Sequence, residues 1–262
     1  MNVGCVKEIM QDESRVALMP DGVEALRAQD TKVIIEKSAG RRSGFPDSAY
    51  RNSGATLVTQ DQVWEQADII VKVKQPLEEE YIYFKEEKIL CCFLHLADNL
   101  PLLEALLKNR ITAIAYETIQ LENGYIPILA EMSKIAGRIA FFDGAKLLMR
   151  HRGIMIGPNA TVAIIGLGNA GAAAAELVAW TDPGKLYLFD KYPGPIDRLR
   201  HLYQRLSPYD LWMIQYDHTN ETHQRQLASI LERTDLLIGA AHIPGEKQIK
   251  LVPEWMIKNM PH

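Results

Sequence analysis

The stretch that most constrains this chain runs over residues 161–190, TVAIIGLGNAGAAAAELVAWTDPGKLYLFD. Its opening residues, Thr161 to Ile165, are β-branched or apolar without interruption, as in a strand buried on both faces. Gly166, Gly168 and Gly171 follow at once in the spacing G-x-G-x-x-G, and small residues from Ala172 to Ala179 then favour a helix. A second strand, residues 185–189, ends on Asp190. The first glycine permits a tight strand-to-helix turn, the second lets backbone approach a pyrophosphate, and the third lets helix pack close to strand. The positive end of that helix and its unpaired N–H groups suit a doubly negative ligand. Asp190 stands about 20 residues beyond the third glycine, where an acid hydrogen-bonds an adenine ribose. A bare glycine turn is common in unliganded α/β domains. Strand, helix, second strand and terminal acid together point to a dinucleotide site, with Gly166, Gly168, Asn169, Ala170, Gly171 and Asp190 as its cofactor contacts. An acid at Asp190 repels a 2′-phosphate and so selects NAD over NADP. Lys191 beside it pulls the other way, because a cation there could receive that phosphate.

Upstream of this stretch, strand and helix patterns alternate. Strands are expected over residues 2–6, 32–36, 56–58, 68–74, 88–95 and 111–115. Helices are expected over residues 21–29, 48–52 and 102–108, the last with Pro101 at its start, and Asp61 can cap a turn holding Val63 and Trp64. This is the pattern of a parallel α/β sheet without a glycine fingerprint of its own. Ile135, Ile139, Phe142, Lys146 and Met149 recur at helical spacing over residues 133–149, with Ser133 placed as the cap. Beyond Asp190, a helix is expected from about Ile196, then strands over residues 211–215 and 235–239, with a polar helix over residues 221–233 between them. A last helix is expected over residues 253–259. The fold class is α/β, with two Rossmann-like doubly wound parallel-sheet domains. Their expected bounds are 1–130 for the first, 131–152 for a linking helix and 153–262 for the NAD-binding domain.

A net charge of −4 gives no reason to expect nucleic acid or an anionic membrane as partner. No apolar stretch approaches the roughly 20 residues of a membrane span, and charges stand where a signal peptide needs its apolar region. Of the three cysteines, Cys91 and Cys92 are adjacent on an expected strand and point to opposite faces. No disulfide framework and no C-x-x-C metal pattern follow, so the expectation is a cytoplasmic, reduced protein without a metal.

An ordered series of motifs carries more. VGCVKEIMQDESRVALMP, DIIVKVKQP, FLHLADN, AIAYETIQ, MSKIAGR, the glycine fingerprint and IGAAHIPGEK together resemble the alanine dehydrogenase family, shared with the nucleotide-binding subunit of proton-translocating transhydrogenase. The histidine in HLADN resembles the dehydrogenase branch. The resemblance implies that Arg15 and Lys74 hold the substrate carboxylate and carbonyl, with His95 the catalytic acid/base. It implies Ser133 as a cofactor contact, Asp190 as the ribose acid and Arg198 as the basic residue just beyond it. The chemistry agrees. A small 2-oxo acid needs a cation for its carboxylate and a group that moves a proton near neutral pH, while the nicotinamide supplies the hydride chemistry. Outside such motifs, a lone arginine is a surface ion pair, a strand lysine marks an edge, and a lone histidine is structural. His151, His201, His218, His223 and His242 lack motif context and are read as ordinary polar residues.

The implied function is NAD-dependent oxidative deamination of L-alanine to pyruvate and ammonia, run reversibly by a homo-oligomer, typically a hexamer. The sequence departs from the family pattern at Val6, Asp12, Met19, Phe93, Asp217 and His242. A family segment carrying a catalytic aspartate and nicotinamide contacts is not matched, which makes the nucleotide domain incomplete and implies little turnover by these residues alone. The alternatives are a truncated, impaired relative that binds nucleotide or only assembles, and a related amino-acid or opine dehydrogenase.

Overall fold

The computed structural model describes residues 1–204, 210–241 and 250–261. His242, and most of the AAHIPGEK motif that contains it, lie outside them. The chain divides into two compact units, Met1–Ile128 and Leu129–His262.

The first unit is built on six parallel strands: β1 (Asn2–Cys5), β2 (Lys32–Glu36), β3 (Thr56–Val58), β4 (Ile69–Lys74), β5 (Ile89–Phe93) and β6 (Thr112–Ala115). Their order in the sheet is β3-β2-β1-β4-β5-β6. The chain therefore reverses its direction of winding between β1 and β4, the place where open α/β sheets leave a crevice beyond their carboxyl ends. Helices α1 (Pro20–Arg27), α2 (Asp47–Asn52), α3 (Gln60–Gln66) and α4 (Leu100–Lys108) cover its two faces. Alternation sorts the core. Ile34, Ile70, Leu90 and Cys92 face Val63 and Trp64 of α3 and Leu102 and Leu106 of α4. Cys5, Val33, Ile35 and Val71 face Val23 of α1 and Tyr50 of α2. Asp61 does not cap α3: the helix begins after Thr59, whose N–H donates to Gln62 Oε1 at 3.1 Å, while Asp61 accepts from the Tyr83 hydroxyl. Asn99 caps α4 by accepting from the Leu102 N–H at 3.2 Å.

All but the first two residues of α5 (Pro127–Arg152) belong to the second unit, and the helix starts well before Ser133. Proline fits a helix start, where its missing N–H costs nothing, so Ser133 lies inside the helix rather than capping it. The expected apolar stripe is also displaced. Ala130, Gly137, Phe141, Gly144 and Leu148 are buried, whereas Ile135, Ile139, Phe142 and Met149 are exposed. Close approach explains this, because a Cβ on Gly137 would stand 1.9 Å from the Ala170 carbonyl oxygen. Small residues let α5 sit on the unit, and the large apolar ones are left outside.

Strands β7 (Thr161–Ile165), β8 (Lys185–Asp190), β9 (Leu211–Gln215) and β10 (Leu236–Gly239) form a parallel sheet in the order β10-β7-β8-β9. Helices α6 (Asn169–Trp180) and α7 (Pro193–Arg198) pack with α5 on one face of this sheet, around Val162, Ile164, Leu186 and Leu188. Helices α8 (Glu221–Leu231) and α9 (Glu254–Ile257) cover the other, around Ala163, Ile165, Tyr187 and Phe189. The segment after Asp190 departs from expectation: α7 starts on Pro193, and a 3-10 turn, Arg200–Gln204, follows it. Arg152 at the end of α5 pairs with Asp235 at 2.7 Å, and Asp235 also accepts the Thr161 N–H at 2.8 Å. Helix, β7 and the start of β10 are thereby tied at one point. Among the described residues no helix is long and apolar enough to cross a membrane.

Candidate functional site

Two groups of predicted residues are found, one in each unit. In the first unit, the parallel strands bring their carboxyl ends to one edge. Lys74 is the last residue of β4 and pairs in register with Phe93, the last residue of β5. The expected strand to His95 stops short. His95 lies two residues past β5 in the left-handed region, with φ of 51°. Its ring turns back toward β4, with Nδ1 3.0 Å from Oε1 of Gln75, the residue after Lys74. Phe93 stacks beside it, ring centroids 6.1 Å apart.

Arg15 reaches the same edge from the loop after β1. Its guanidinium is held by Glu13, Nε to Oε1 at 2.8 Å and Nη2 to Oε2 at 2.6 Å. That bidentate bond comes first among the causes that keep the Glu13 carboxyl below its ordinary value, and the Lys74 ammonium adds to it. Arg15, Lys74 and His95 thus lie at or past the ends of β1, β4 and β5, Arg15 held by Glu13 and His95 by Gln75 beside Lys74.

Several residues to which the sequence assigned no role support this edge. Lys72 is fully buried and pairs with Glu80 at 2.9 Å and Glu8 at 3.5 Å. Burial works against its charge, but the two carboxylates override it and raise its pKa. Burial raises the Glu8 carboxyl in turn, in spite of Lys72. Glu8 accepts the Val73 N–H at 2.6 Å. Glu117 accepts the N–H groups of Leu94 and His95, at 3.1 and 2.7 Å. Glu8 and Glu117 both lie inside quoted motifs. Their signal was an acid just past a strand end, too common to be singled out.

In the second unit, the fingerprint residues form the turn from β7 into α6. Gly166 has φ of +87°, and a Cβ there would stand 2.5 Å from the Ala241 nitrogen. A Cβ on Gly171 would stand 1.8 Å from the Gly166 carbonyl oxygen. These two glycines are required by the fold itself. Gly168 is different: among the described residues nothing lies within 4 Å of a Cβ built on it. It is the N-cap of α6, which has no side-chain cap, so Asn169, Ala170 and Gly171 begin a helix whose first N–H groups take no side-chain acceptor from its cap. An open glycine at an uncapped helix start fits a pyrophosphate. Asp190 folds over this turn, accepting the Leu167 N–H at 2.6 Å and the Tyr192 N–H at 2.9 Å. Arg198, at the end of α7, donates to the Leu167 carbonyl at 3.4 Å. Ser133 lies on α5 one turn before Gly137, the residue packed on Ala170. Lys191 is 3.5 Å from Asp217, whose carboxyl is lowered to about 2, chiefly by the Thr219 N–H and hydroxyl.

Comparison with known proteins bears on both units. A family model described as "Alanine dehydrogenase/PNT, N-terminal domain" matches residues 4–136, and one described as "Alanine dehydrogenase/PNT, C-terminal domain" matches residues 140–262. An alanine dehydrogenase of Staphylococcus epidermidis is 39% identical over 269 residues, covering 99% of this chain and 69% of that protein. Alanine dehydrogenase 2 of Staphylococcus aureus is 37% identical over the same shares of each. Among solved structures, an L-alanine dehydrogenase superposes with a TM-score of 0.86 at 32% identity, over 100% of this chain and 72% of that one. A transhydrogenase from Sinorhizobium meliloti shares the fold, with a TM-score of 0.82 at 22% identity over 100% of this chain and 76% of that one.

Proposed function

The chain belongs to the alanine dehydrogenase/PNT family, and from that premise we propose that it serves the NAD-dependent oxidative deamination of L-alanine to pyruvate and ammonia, run reversibly. What supports this reading is that Lys74 ends β4 at the winding reversal of the first sheet, with Arg15 after β1 and His95 after β5 on the strands to either side. Arg15, anchored by Glu13, offers its charge to the substrate carboxylate. Lys74 takes the carbonyl or amine end. With Nδ1–H donating to the Gln75 side-chain carbonyl, Nε2 is the atom at which His95 exchanges a proton.

NAD, when bound, supplies the hydride acceptor. Gly168 and the start of α6 leave room and N–H donors for its pyrophosphate, and the Asp190 carboxylate receives its ribose hydroxyls. Ser133, Asn169, Ala170 and Arg198 line the approach to the same turn. Lys191 is engaged by Asp217, which supports NAD over NADP. The exposed stripe Ile135, Ile139, Phe142 and Met149 on α5 supports a homo-oligomer, and the reading places the protein in the cytoplasm.

The test is growth of the NADH absorbance band with L-alanine and NAD. Turnover that His95→Ala lowers by about 10²- to 10⁴-fold supports the proposal. Turnover indifferent to His95→Ala refutes the role of that residue, and turnover with another amino acid only points to a related amino-acid or opine dehydrogenase.

A further inference from the structure

Two carboxylates reach across the first sheet from its neighbouring strands and grip backbone at the ends of the two strands between them. Glu8 follows β1 and binds the end of β4, taking the Val73 N–H at 2.6 Å. Glu117 follows β6 and binds the end of β5, taking the Leu94 N–H through both oxygens, at 3.1 and 3.2 Å, and the His95 N–H at 2.7 Å. In sheet order these strands are β1-β4-β5-β6, so both carboxylates point inward. We infer that Glu8 and Glu117 are positioning residues, each holding the backbone that aims a reacting side chain, Lys74 for the first and His95 for the second. The inference rests on the proposed roles of Lys74 and His95.

Local geometry at both ends needs such a hold. The register of β4 against β5 shifts between Val71 and Lys74, which interrupts the regular ladder just where Val73 must find an acceptor. Glu8 provides it, the Lys74 N–H helps to stabilise the same carboxylate, and the buried Lys72 ammonium balances its charge. Past the end of β5, His95 has φ of 51°, a conformation that a residue with a Cβ adopts at a cost of about 1–2 kcal/mol. The backbone must turn in this way for the ring to come back to Gln75 instead of continuing along the strand. A carboxylate across two successive N–H groups makes charge-assisted bonds to both, enough to hold the strained turn. A purely structural acid could cap any strand end. These two cap the strands that end at the predicted substrate residues.

Hydrogen exchange on the unaltered protein gives the first reading. The amides of Val73, Leu94 and His95 exchange about tenfold or more slowly than that of Ala97, in the turn that follows. Imidazole nitrogen resonances give the second: His95 shows the Nδ1–H tautomer, and Glu117→Gln, which turns an N–H donor on the clamped amides, loses that preference. Turnover of L-alanine then falls about tenfold to a hundredfold, mainly in kcat for Glu117→Gln and mainly as a raised KM for Glu8→Gln. Glu117→Asp, which keeps two acceptor oxygens, restores part of the loss. Unprotected amides in the unaltered protein overturn the inference even if every variant misfolds. So does a Glu117→Gln protein that melts at a lower temperature with its tautomer and kcat unchanged. If the unaltered protein shows no alanine turnover while the tautomer still shifts in the variant, the proposed activity fails and the clamp stands.

Discussion

Leu167 donates its backbone N–H to Asp190 Oδ2 at 2.6 Å, so the acid at the end of β8 locks the glycine turn that follows β7. Asp190 therefore holds the turn in addition to its proposed part in receiving the ribose. Asp190→Ala is expected to weaken NADH binding by tenfold to a hundredfold, the loss of one charged hydrogen bond of about 1.5–3 kcal/mol. Preference for NADH over NADPH should fall with it. Fluorescence titration of both nucleotides reads the two effects, and an unchanged preference would show that Asp190 is not the selector.

Gly166 and Gly168 should separate fold from binding. Gly168→Ala meets nothing within 4 Å among the described residues and should leave the melting temperature nearly unchanged while weakening NADH binding, because the added methyl enters the proposed pyrophosphate site. Gly166→Ala combines φ of +87° with a contact of 2.5 Å to the Ala241 nitrogen. It should cost about 1–3 kcal/mol or more of stability. Paired thermal melts and NADH titrations check both, and equal melting losses would contradict the distinction.

Lys72 lies between two buried carboxylates, Glu8 and Glu80. Lys72→Met keeps much of its volume but leaves both acids without it, at an expected cost of about 3–5 kcal/mol in urea unfolding. A loss below about 1 kcal/mol would mean that the cluster is not held by its charges.

Glu13 sets a pH dependence. Its bond to Arg15 holds the carboxyl below the ordinary 4.5. The stabilisation is fully present above that ordinary value and is lost as pH falls through the depressed one, since the unfolded chain takes up the proton first. Glu13→Gln should be less stable than the unaltered protein at neutral pH, with the gap closing under acid. Melting curves at several pH values check this. A gap that stays constant on acidification would count against it.

Much of the fold was legible because the strands are unbroken β-branched and apolar runs. Residues 32–36, 56–58 and 211–215 form strands over the spans that composition suggests. The long helix departs from its apolar periodicity for a physical reason. Periodicity finds large apolar side chains, whereas α5 buries Gly137 and Gly144 and leaves Phe142 exposed. The fingerprint turn was legible from its spacing, yet the spacing does not tell the open Gly168 from the two structural glycines. At the other site, motifs gave Arg15, Lys74 and His95. The acids beneath them were not legible, because Glu8 and Glu117 act through backbone N–H groups that only the paired strands bring into reach.

Arg15, Lys74 and His95 are proposed to form one site for a small 2-oxo acid at the carboxyl edge of the first sheet. Calorimetric titration of pyruvate into the unaltered protein, Arg15→Ala and Lys74→Ala tests it most directly. Each substitution is expected to weaken binding by about tenfold to a hundredfold, through loss of a charge-assisted bond to the ligand. Pyruvate binding with unchanged affinity in both variants would contradict it.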